Sequence, residues 1–172
     1  MKKLAVLLIS FLALSSCQEN SSEDVLYTGS EIEYTLYQAS DFDYTGLLTV
    51  RELMGGELEL EIELQGEKGD DAYFFPAHLH FGAYDDVDAP MAHMLEPIDI
   101  RLLRSTTVLG RLSNQKDLSF EDFKSFDGHI KVHLADSGPE YQVIIVAGNV
   151  GSNDNSPVNF DRSKMTLCSP YF

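Results

Sequence analysis

ELELEIEL, residues 57–64, decides what kind of molecule this is. Leu58, Leu60, Ile62 and Leu64 alternate without a fault with Glu57, Glu59, Glu61 and Glu63. On an extended strand successive side chains point to opposite faces, so the aliphatic residues share one side and the carboxylates the other. Wound into a helix, the same residues would smear both kinds around the circumference. The segment is therefore a strand with one face in a core and one in water, the signature of an antiparallel sheet. Its glutamate row reads as a solvated face rather than a calcium site, because carboxylates spaced along one strand lie too far apart to share an ion.

Working outward, the same period recurs. Upstream, EIEYTLYQ (31–38) sets Ile32, Tyr34 and Leu36 against Glu31, Glu33 and Thr35, and TGLLTVREL (45–53) ends at Gly55 and Gly56. Downstream, AYFFPAHLHF (72–81) holds a proline that cannot donate to a ladder, which predicts an edge or a bulge at Pro76. Residues 82–96 read as a long acidic loop carrying Asp85, Asp86, Asp88 and His93, and IDIRLL (98–103) as the next strand. In SFEDFKSF (119–126), Ser119 with Asp122 resembles a helix-capping pair and Phe120, Phe123 and Phe126 form a stripe, so a single short helix is expected there, closed by Asp127 and Gly128. HIKVHLAD (129–136) alternates cleanly again, and YQVIIVAG (141–148) is apolar enough for a central strand. Short strands separated by Gly, Asp, Asn and Pro turns predict an all-β fold, a Greek-key β-sandwich or barrel of about seven to eight strands with one short helix near 119–126.

The first residues do not belong to that domain. Lys2 and Lys3 precede an eleven-residue apolar run, LAVLLISFLAL, too short to span a membrane and fitting an export signal. LSSC at 14–17 resembles the lipobox of bacterial lipoproteins. That resemblance implies cleavage after residue 16 and several acyl chains on Cys17, enough for stable membrane anchoring. Gln18 rather than Asp follows the cysteine, which points to the outer membrane of a Gram-negative bacterium. The chain then divides into a signal at 1–16, a tether at 17–30, the β domain at 31–152 and a C-terminal tail at 153–172. Loss of the signal leaves 12 − 2 = 10 basic against 28 acidic residues, a net charge near −18. Such a charge repels phosphate backbones and excludes a nucleic-acid partner. With Cys17 lipidated, Cys168 is left without an intramolecular disulfide partner. No protein or carbohydrate partner is singled out.

Chemistry concentrates in the histidines. His78 and His80 share one face of their strand, roughly 6.5–7 Å apart, and His129 and His133 lie opposite the apolar row of theirs, roughly 13 Å apart and too far to share an ion. A site for copper or zinc would combine His78 and His80 with either His129 or His133 from an adjacent strand, and His93 or a loop aspartate could complete it. The plainer reading has these rings hydrogen-bonding to loop backbone on the sheet's outer surface. Ring nitrogens of three histidines within about 4 Å of one another would favour a metal. No serine elbow, phosphate-binding loop or Cys–His pair marks a catalytic site, and the chain reads as a non-catalytic module.

PAHLHFG (76–82), FDGHIKVHLAD (126–136) and VIIVAGNVGSN (143–153) together resemble the CHRD domain, first named in chordin and found in many exported bacterial proteins. Ala77, His78, Leu79 and His80 correspond to its first motif strand, and Val132 with His133 to its second. The resemblance implies a β-sandwich and picks His133 over His129 as the partner of the pair. A fainter likeness connects the His-x-His strand and the later loop histidine to copper–zinc superoxide dismutase, without that family's disulfide or full ligand set, and implies dismutase-type activity as an alternative to the non-catalytic module.

Overall fold

The structure, a computed structural model, describes residues 26–167. Eight strands are formed among them: β1 (Tyr27–Gln38), β2 (Thr45–Leu53), β3 (Leu58–Gln65), β4 (Phe74–Phe81), β5 (Met91–Asp99), β6 (Arg104–Leu109), β7 (Asp127–His133) and β8 (Ile144–Gly151). One helix, α1 (Phe120–Lys124), precedes β7. All pairings are antiparallel and close into a barrel in the order β1-β2-β3-β6-β5-β4-β7-β8. Within it, β3-β6-β5-β4 is a Greek key, since β3 lies beside the last of three hairpin-linked strands. Two seams are short: β5 meets β6 only at Asp99 with Arg104, and β1 meets β8 at Tyr37 with Ala147 and Gln38 with Val146. The barrel is therefore two four-stranded sheets, β1-β2-β3-β6 and β5-β4-β7-β8, joined along two edges.

The alternation of ELELEIEL is what fills it. Leu58, Leu60 and Ile62 are each 1 % exposed. They join Leu36, Leu48 and Val50 from the same sheet and Phe75, Leu79, Ile98, Ile130 and Val132 from the other in one apolar cluster. Helix α1 forms as expected: the Ser119 hydroxyl accepts from the Asp122 N–H while the Asp122 carboxylate accepts from the Ser119 N–H. Phe120 and Phe123 are buried, and Phe126 joins them in the core. Asp127 and Gly128 do not close the helix but open β7.

Two stretches depart from expectation. Residues 82–96 are a loop only to Pro90, because Met91–Asp99 is a full strand paired with β4. IDIRLL, in turn, is not a strand of its own. Ile98 and Asp99 end β5, and residues 100–103 turn the chain into β6, with Asp99 accepting from the Arg101 N–H and Leu103 at φ 58°. The cause is a pair of β-bulges, one at Pro76 between Phe75 and Ala77, the other between Leu79 and His80. Each places extra β5 residues against β4 and breaks the two-residue period on which the sequence reading depends. Pro76 thus sits at a bulge of a strand paired on both sides, not on an edge. At the N-terminal side β1 starts at Tyr27, inside the stretch expected to be tether. The signal at 1–16, Cys17 and Cys168 lie outside the described residues.

Candidate metal centre on the covered face

Strands β4 and β7 are neighbours, in the register Ala77 with Val132, His78 with Lys131, Leu79 with Ile130 and His80 with His129. With Leu79, Ile130 and Val132 committed to the core, pleating turns His78, His80, His129, Lys131 and His133 to the outer side of their sheet. That direction agrees with the sequence, but the environment does not: none of the five is more than 3 % exposed.

Three segments cover them. The loop after β4 lies across one side, pinned by Tyr84, whose N–H donates to Asn149 Oδ1 and whose hydroxyl donates to the Asn159 carbonyl. The chain beyond β8 crosses the same region, packing Phe160 against Tyr84 with the rings tilted and placing Thr166 so that its hydroxyl reaches the Asp86 carbonyl and its own carbonyl accepts from Lys131 Nζ at 2.8 Å. A 3-10 turn, Pro139–Gln142, sets Tyr141 flat on His133, with ring centroids 4.5 Å apart and planes at 4°.

Hydrogen bonds to this cover fix the protons. His133 Nδ1 lies 2.6 Å from the Tyr141 carbonyl, His129 Nδ1 2.7 Å from that of Gly82, and His80 Nδ1 3.2 Å from that of Ala89. A carbonyl only accepts, so each Nδ1 carries the hydrogen and, in the neutral ring, Nε2 keeps the lone pair. The rings are held neutral. Burial pushes His78, His80 and His129 down to about 3 and His133 to about 4, with neighbouring imidazoles acting further on His78 and His80, and Lys131 on His80, His129 and His133. A neutral imidazole whose Nδ1–H is tied to a backbone carbonyl is the form in which histidine binds metals through Nε2.

His78, His80 and His133 converge. One ring nitrogen from each lies within 4.8 Å of the others, and the ring of His78 is 4.9 Å from that of His133 and 5.8 Å from that of His80. Three nitrogens on a tetrahedral zinc ion at 2.0–2.1 Å are about 3.3 Å apart. At 4.8 Å this group is wider than a closed site and than the roughly 4 Å expected from the sequence, and must draw in by about 1.5 Å. His129 is not one of the three but stacks on His80 at 4.9 Å and 9°. Its Nε2 is buried without a hydrogen-bond partner among the described residues. His93 is not brought to the group either. It stands on β5 opposite Leu79, its Nδ1 3.3 Å from the Arg111 carbonyl and its ring against Gly110. The aspartates of the acidic loop are likewise absent from the group; Asp86 instead accepts from the Ala83 N–H.

The sequence placed Tyr141 at the start of the last strand, whereas it stands in the 3-10 turn and β8 begins at Ile144, and it left Met94, which lies opposite His78 on β5, in a loop. Ala92, Leu95 and Ile98 are buried at intervals of three because of the bulges, so the strand carried no two-residue signal. No family model, curated protein or solved structure matches the chain.

Proposed function

We propose that this protein binds one transition-metal ion, copper or zinc, through His78, His80 and His133, as a non-catalytic module lipid-anchored at the outer membrane. The observation that carries the reading is the convergence of three buried, neutral imidazoles, whose ring nitrogens fall within 4.8 Å although they come from two strands. Two of the three carry an Nδ1 hydrogen bond to a backbone carbonyl, the contact that orients metal-binding imidazoles, His80 through Ala89 and His133 through Tyr141. The CHRD resemblance supports the same choice of residues, and the negative chain attracts cations.

Metal analysis of protein purified without chelator tests this directly. Wild type and His93→Ala should carry about one equivalent, and His80→Ala should lose it. Equal metal in wild type and His80→Ala would retire the proposal. The address is tested by mass spectrometry of detergent-extracted protein, in which Cys17 should be the acylated N-terminus. An unmodified cysteine there would remove the anchor.

A further inference from the structure

The metal reading leaves open which ion the group prefers, and the strand beside it bears on that. On the outer face His78 has Lys131 on one side, across β7, and Met94 on the other, across β5. Directly opposed residues of antiparallel strands have Cβ atoms roughly 4.5–5.5 Å apart, a gap that a methionine side chain with three rotatable bonds spans easily. Met94 is 62 % exposed while His78 is 3 % exposed, so the thioether is not a core filler. Both line one cleft of about 380 Å³, walled by Phe74, Pro76, Pro97 and Tyr141. The cleft runs from solvent to one ring of the trio, with Met94 on its wall at that point.

Donor chemistry then discriminates between ions. Three imidazoles and a water suit zinc, whereas adding a thioether makes the set softer and selects Cu(I). Beyond His78 and Met94 the cleft lining is apolar apart from Asp136 and Tyr141, which favours an ion of low charge over a divalent one needing oxygen ligands.

We propose that Met94 supplies a fourth, thioether ligand to a Cu(I) ion held by His78, His80 and His133, and that the cleft is the route by which the ion reaches them. The inference rests on the trio being a metal site, and the experiment separates the two. The detergent-solubilised full chain is titrated anaerobically with Cu(I) against a chromophoric Cu(I) chelator, and separately with Zn²⁺ against a zinc indicator. Met94→Leu should weaken Cu(I) binding by about tenfold or more and leave Zn²⁺ binding within about twofold, and the copper–sulfur contribution to X-ray absorption should vanish. At an exposed position this variant keeps the fold, which circular dichroism checks. Unchanged Cu(I) affinity in Met94→Leu, with both metals lost in His80→Ala, would overturn the thioether ligand and leave the trio standing. Unchanged binding of both metals in His80→Ala would overturn the trio and this inference with it. Met91, opposite His80, is the internal control: loss of Cu(I) in Met91→Leu but not in Met94→Leu would also reject the assignment.

Discussion

On the β1-β2-β3-β6 sheet the outward row Glu59, Glu61 and Glu63 meets arginines: Arg51 lies 3.7 Å from both Glu59 and Glu61, and Arg104 reaches Glu63 at 3.1 Å. On the opposite sheet the outward positions His78, His80, His129, Lys131 and His133 lie under loop, turn and tail. Both faces are written with the same two-residue period. The period decides which side of the sheet a residue takes, and the titration chemistry of that residue decides whether the side can then be covered. The glutamate row is not the uniformly solvated face expected from the sequence: Glu63 is exposed, but Glu59 is buried. There it accepts from the Tyr27 hydroxyl at 2.7 Å and lies beside Arg51, because burying a carboxylate without such partners costs several kcal/mol. An imidazole can instead give up its proton and be buried neutral.

The largest test of that contrast is acid. Above pH 6.5 the covered histidines are neutral in both the folded and unfolded chain and contribute no pH dependence. Below it, the unfolded chain takes up protons that the folded rings, held at about 3 to 4, refuse. Stability must therefore fall as pH falls, by about 1.4 kcal/mol per pH unit for each histidine until its folded value is reached. With four such rings, metal-free protein should lose about 5 kcal/mol between pH 7.5 and pH 5.5, measured by urea unfolding in the presence of chelator. A flat profile over that interval would mean that the rings are reached by solvent and that the two faces do not differ. Bound metal should deepen the loss, since protons then also compete for the ligand nitrogens.

A smaller effect is expected from the cover itself. Lys131 is 1 % exposed and its ammonium donates to both the carbonyl and the hydroxyl of Thr166. Lys131→Met keeps the length of the side chain and removes both bonds, while relieving the cost of a buried charge. The two changes oppose each other globally, so unfolding free energy should shift by no more than about 1 kcal/mol. Locally the tail loses its tie, and the Thr166 amide, which donates to the Tyr84 carbonyl at 3.3 Å, should exchange about tenfold faster with deuterium. Unchanged exchange would show that the tail is held without Lys131, by contacts such as those of Thr166 with Tyr84 and Asp86.

How much of this was legible follows from the same comparison. Strands β3 and β7 and the 31–38 part of β1 could be read because each alternates, β2 because its apolar run is bounded by Gly55 and Gly56, and helix α1 because Ser119 and Asp122 cap it in a recognisable way. Strand β5 could not, because its period is interrupted at both bulges and Pro97 lies inside it. The outward direction of the histidines was legible from Leu79, Ile130 and Val132. Their burial was not, since the cover comes from residues 82–90, Tyr141 and Thr166, which have no period of their own and act at separations as large as that between Asp86 and Thr166. The choice of His133 over His129 came from a family resemblance and not from spacing. The structure reaches the same residue because His129 pairs straight across from His80 and stacks on it, whereas His133 lies further along β7, beside His78.

The smallest expected effect lies on the open face. Arg51 donates to Glu31 at 2.6 Å and stands between Glu59 and Glu61, with its side chain 26 % exposed. Arg51→Ala removes the cation from among three carboxylates, and what remains is mutual repulsion that nearby water and salt can screen. The expected loss is about 1 kcal/mol at low salt, falling to roughly half that in ~0.5 M NaCl, read from urea unfolding at neutral pH. A loss of about 3 kcal/mol or more, insensitive to salt, is what a buried and uncompensated charge produces. That outcome would put the glutamate face in the same dry environment as the histidine face, and the distinction between carboxylates that must keep water or partners beside them and imidazoles that can be covered would fail at its simplest point.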